Sequence, residues 1–172
     1  KTDGTQVEAI QALGENGDKV NINISPNAQI IGFADADTTL TAGLDRQMVV
    51  PLGRNHENFE GLTVEGMNFD SLWSPSGKKL LYSVSGSYSD YRPLLWSVDA
   101  TSSTMGENRR SYGINTWVNK CVFASETVVY CGVPTALPAN AGLQPALYAD
   151  EPDNLYRLDL SSGKSSLVAI PS

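Results

Sequence analysis

The chain has 172 residues and a formal charge of −7, from 12 Lys and Arg against 19 Asp and Glu, so it is long enough for one domain with its own core and short for two. Charged residues make up 18%, below the ~25% usual for soluble domains, and Ser, Thr and Asn supply about a quarter of the chain, a balance that suits sheets with solvated loops. The acidic excess offers no basic stripe to nucleic acid or an anionic membrane surface, no run approaches the roughly 18 apolar residues of a spanning helix, and residues 1–20 lack the zones of a signal peptide.

Residues 5–13 suit either an outer strand or a short helix, because Val7, Ile10 and Leu13 also keep helical spacing. Ile24-Ser25-Pro26-Asn27 followed by Gln29-Ile30-Ile31-Gly32-Phe33 reads as strand, tight turn, strand. The sequon Asn23-Ile24-Ser25 precedes Pro26 inside that strand and carries no weight as a glycosylation site. Asp35 and Asp37 lack the spaced Gly and terminal Glu of a calcium loop and read as a solvated strand end. Between 38 and 52 only Leu40, Leu44 and Met48-Val49-Val50 mark further strands. His56, the single histidine, is the one base a Ser/His/Asp hydrolase would have to use. Without a Gly-x-Ser-x-Gly elbow it reads as a loop histidine, and no catalytic set, metal site or cofactor site is expected.

A second hairpin follows at Trp73-Ser74-Pro75-Ser76-Gly77 and Lys79-Leu80-Leu81-Tyr82-Ser83: Pro75 sets φ, Gly77 accepts a positive φ, and Lys78 and Lys79 solvate the turn. The connection Ser87-Tyr88-Ser89-Asp90-Tyr91-Arg92-Pro93 puts aromatic and charged side chains in a loop, which makes Tyr88, Asp90, Tyr91 and Arg92 binding candidates. Leu95 to Asp99 reads as a third strand ending in an Asp-led turn. A third hairpin turns at Ser125-Glu126, with Cys121 and Cys131 equidistant from the turn. A regular register sets those two opposite each other, within disulfide reach; two reduced, buried thiols are the alternative, and zinc lacks a four-ligand set. A disulfide implies an oxidising compartment. The stretch from Pro134 to Pro152, with four prolines, is longer than a hairpin needs; it reads as an insertion that is functional or packed over an edge, with Leu143 and Tyr148 its candidate contacts. Alternation puts Tyr156, Leu158 and Leu160 on the face opposite Leu155, Arg157 and Asp159, and Ser165 to Ile170 supplies a last strand. The other aromatic residues, Trp117 among them, are expected to pack between sheets.

Ile24, Trp73 and Phe123 stand 49 and 50 residues apart, each closing the first strand of a hairpin. Four strands per unit at a period near 50 is the arithmetic of a β-propeller blade. The expected fold is all-β: three blades of four antiparallel strands at about 19–66, 67–114 and 115–172, within a single domain. Closed propellers have four or more blades, so the chain is expected to be part of a propeller, a fragment of a longer chain or one of two copies, and not a stable isolated monomer.

The segment Leu72-Trp73-Ser74-Pro75-Ser76-Gly77-Lys78-Lys79-Leu80-Leu81-Tyr82 resembles the Trp-Ser-Pro-Asp-Gly-Lys repeat of the TolB-like, or WD40-like (PD40), β-propeller family, with Ser76 in place of the usual Asp. Residues 73–170 also resemble propellers of exported, membrane-anchored proteins of uncultivated bacterial lineages. The resemblance implies an extracytoplasmic, non-catalytic protein-interaction scaffold whose partner is another protein, the remaining blades or a second copy. Its alternatives are an accessory propeller of an exported hydrolase or peptidase, and a carbohydrate-binding module using exposed aromatics.

Overall fold

The computed structural model describes residues 3–5, 7, 9, 12, 19–36, 43–55, 57 and 59–171. Most of 5–13, Asp37, Leu40 and His56 lie outside the described residues. Three four-stranded sheets account for the architecture. The first holds β1 (Val20–Ile22), β2 (Ile30–Ala36), β3 (Gln47–Gly53) and β4 (Leu62–Val64); the second holds β5 (Met67–Trp73), β6 (Lys79–Ser85), β7 (Pro93–Asp99) and β8 (Arg110–Ser111); the third holds β9 (Cys121–Phe123), β10 (Val128–Pro134), β11 (Asp153–Asp159) and β12 (Lys164–Ala169). Neighbouring strands are antiparallel and follow chain order, so each sheet is a meander and none closes on itself. Among the described residues there is no α-helix, only short 3-10 turns.

Turn chemistry sets the first two hairpins. Ser25 and Ser74 are buried, and each N–H donates to the carbonyl at the start of the returning strand, Ile30 O at 2.8 Å and Lys79 O at 2.9 Å. Each hydroxyl accepts the N–H of that same residue, at 3.0 and 3.2 Å. Three residues past each serine the backbone is left-handed, at Ala28 (φ 57°) and Gly77 (φ 71°). The third hairpin is tighter, with Ala124 and Ser125 both donating to Val128 O.

The second sheet is the middle layer. Strand β6 turns Leu80, Tyr82 and Val84 toward Ile30, Phe33, Val49, Leu62 and Val64 of the first sheet, and Leu81 toward Val129, Cys131 and Leu158 of the third. A bulge at Ile31, between the pairs Ile30–Gly53 and Gly32–Leu52, lets Ile30 and Phe33 share one face although they are three residues apart. Trp73 then stacks on Phe33 with ring centroids 5.8 Å apart.

Polar contacts between sheets recur at about one repeat. Asn23 Nδ2 donates to Ser71 O (2.7 Å), Trp73 Nε1 to Asn23 O (3.1 Å), and Ser76 N and Oγ to Glu126 (2.5 and 2.8 Å). Burial would raise the Glu126 carboxyl, but hydrogen bonds from Ser76 and Ser74 outweigh it and hold it below its ordinary value. Two arginines at the start of β8 reach both ways: Arg109, just before the strand, donates to Thr63 O of β4 and to Glu65 just after it, and Arg110 to Ser161 O (2.9 Å) and Ser162 O (3.0 Å) beyond β11.

Each outer face of the stack carries an exposed apolar side chain, that of the third sheet beside Arg157, Asp159 and Lys164. Ile22 on the first sheet is 68% exposed and Val122 on the third is 62% exposed; Leu167 at the β12 edge is also exposed, but its pairing with Tyr156, in line with Cys131, sets it on the face toward the second sheet. Register puts Ile22 in line with Gly32 and Leu52, and Val122 in line with Tyr130 and Arg157, on the faces turned away from the second sheet.

Candidate functional site

The structure brings the two candidate segments together. The carbonyls of Asp90 and Tyr91 accept the N–H groups of Asn140 (2.8 Å) and Gly142 (2.9 Å), and Arg92 Nε donates to Leu137 O (2.7 Å). Asp90 and Tyr91 hold left-handed backbone, φ 51° and 54°, which turns successive carbonyls toward the insertion. Gly142 is required by proximity: a Cβ there would lie 1.9 Å from Ser85 Oγ and 2.7 Å from Tyr91 O. Asn68 Nδ2 donates to Gly142 O (2.7 Å), and Thr135 N to Pro152 O (2.8 Å) closes the insertion at its base. The 3-10 turns Ala141–Leu143 and Pro145–Tyr148 are thereby pinned over the second sheet.

Each sequence candidate now has a place. Asp90, Tyr91 and Arg92 hold the insertion, and Arg92 Nη1 also pairs with Asp90 at 2.8 Å. Tyr88 turns the other way: it is 47% exposed, donates its hydroxyl to Glu65 O, and sets its ring edge-on to Trp96 at 5.9 Å. Burial pushes its phenol up to about 12. Leu143 is exposed on the insertion, and Tyr148 lines a cavity.

Two cavities are lined in part by the insertion. One, of about 350 Å3, lies by Arg92, Asn115, Val133, Leu137 and Tyr156. The other, of about 420 Å3, lies between Trp117, Asn119 and Lys120 on one side and Pro145, Ala146 and Tyr148 on the other. Trp117, assigned by sequence reasoning to packing, is instead half-buried on this cavity.

No protein-family model matches the chain, and no curated protein matches its sequence.

Cys121 and Cys131 are directly paired across β9 and β10 and joined by a disulfide, with Cα atoms 4.1 Å apart. Among the described residues no group of three or more His, Cys, Asp or Glu side chains is arranged to hold a metal, and no helix is long and apolar enough to cross a membrane.

Proposed function

We propose that the chain is a non-catalytic, extracytoplasmic protein-interaction scaffold in which the three sheets serve as consecutive blades of a TolB-like propeller. The observation that carries the reading is the stack itself. Three meanders pack in chain order, linked at about one-repeat intervals, and each outermost face carries an exposed apolar side chain, Ile22 on the first sheet and Val122 on the third. In the blade reading those two faces each meet another surface. The disulfide supports an oxidising compartment, and the pinned insertion supplies a shaped rim for recognition.

Sedimentation and light scattering over a hundredfold concentration range test the scaffold reading. The expected result is a mass above the monomer that rises with concentration and drops when Ile22 and Val122 are both changed to Glu, with the strand signal in circular dichroism unchanged. A compact monomer with one cooperative unfolding transition at every concentration overturns it.

A further inference from the structure

The cavity beside Trp117 has walls fixed independently of each other. Thr116 is buried and donates its hydroxyl to Gly132 O (2.6 Å), and Val118 is buried with its N–H on Ser83 Oγ (3.1 Å). Trp117, extended between them at φ −81° and ψ 141°, is directed away from that core. Lys120 Nζ sits 5.8 Å from the Trp117 ring centroid and is held by both Asp153 carboxylate oxygens at 2.9 Å. The opposite wall, Pro145 to Tyr148, belongs to the pinned insertion.

About 420 Å3 is the scale of a small-ligand site. Its chemistry narrows the class. Lys120 is the one charged lining side chain among the described residues, and Asp153 already neutralises it, so the walls favour neither an anion nor a cation. What remains is two partly exposed aromatic side chains, the Asn119 amide, which both donates and accepts, and the Tyr148 phenol. Flat apolar rings beside a few donor–acceptor groups suit a neutral ring that has an apolar face and a hydroxylated edge. We propose that this cavity binds a neutral saccharide, a role that does not depend on the scaffold reading.

The probes are cellotriose, maltotriose and tri-N-acetylchitotriose, titrated into the whole chain in the low millimolar range. Binding is read by calorimetry and by the indole N–H resonance of Trp117, assigned with Trp117→Phe among the three tryptophans. At least one probe is expected to give a saturable isotherm and to shift the Trp117 resonance selectively. Trp117→Ala and Tyr148→Ala should each weaken it about tenfold. Ile24→Ala, an exposed apolar side chain on the first hairpin and outside the cavity, should leave it unchanged. If either alanine variant fails to fold, the selective resonance shift in the unmodified chain decides. No saturable binding by any probe to the folded chain overturns the proposal, as does binding that survives both alanine variants. A proline-rich peptide that shifts the same resonance when no saccharide does also overturns it and marks a peptide groove. Self-association is measured separately, so failure here leaves the scaffold test unaffected.

Discussion

Ala28 occupies the left-handed position that Gly77 fills in the next hairpin. An L side chain there costs about 1–2 kcal/mol, part of which glycine returns as chain entropy. Ala28→Gly is therefore expected to stabilise by about 1 kcal/mol, seen as a higher urea midpoint with unchanged slope. The tyrosines set the alkaline limit. Burial raises the phenols of Tyr82, Tyr88 and Tyr112, the Tyr88 group to about 12, against an ordinary value of about 10. A phenol whose pKa is higher folded than unfolded favours the fold while protonated. Stability should hold up to about pH 10 and fall as pH climbs through about 12. Urea midpoints at pH 9 and pH 11 check this, and Tyr88→Phe should make the fall shallower.

At the level of single strands, β6 joins the two cores. Leu80 and Leu81 are both fully buried but face different clusters, so Leu80→Ala and Leu81→Ala should each cost about 2–5 kcal/mol. Equilibrium unfolding of each variant measures the loss. The β9–β10 hairpin is closed by a disulfide across a sequence separation of 10, which should contribute less than the ~3 kcal/mol of a 15-residue loop. Alkylation of the denatured, unreduced chain should add no alkyl group, and alkylation after reduction should add two. Arg110 joins β8 to the turn beyond β11 through carbonyls that would otherwise face water. Its replacement by Ala should cost about 1–2 kcal/mol in the same measurement.

For the molecule as a whole, the blade reading makes a directional prediction about the two exposed faces. Within the stack, the third-sheet side of one sheet packs on the first-sheet side of the next, so association between copies should join unlike faces. Ile22→Asp and Val122→Asp, each breaking one face, should then be monomeric alone, and their mixture should form a dimer that grows no further. Sedimentation of the two variants and of the mixture decides it. A dimer from either variant alone would show that like faces pair.

Periodicity and turn residues are local properties, so they were readable before any contact was known. Ser25-Pro26 and Ser74-Pro75 located the first two turns, the alternation through Leu155–Leu160 assigned the faces of β11, and the equal spacing of Cys121 and Cys131 about Ser125-Glu126 set them opposite each other. The bulge at Ile31 was not legible. An extra residue reverses the alternation only once β3 fixes the pairing, and without it Phe33 would not face Trp73. The candidate loop was legible as a place but not as a role: the backbone carbonyls of Asp90 and Tyr91 and the Arg92 Nε bond residues 137–142, a contact across about 50 residues. The placement of Trp117 is undecided by sequence for the same reason, since an aromatic side chain reads alike in a core or a cavity until the opposite wall is in place. The sequence by itself determined the strands, their turns and the disulfide register, because each depends on residues within about ten positions. Tertiary structure alone decided which faces meet, what the insertion rests on and where Trp117 and Tyr148 come together, because those depend on close packing between distant segments.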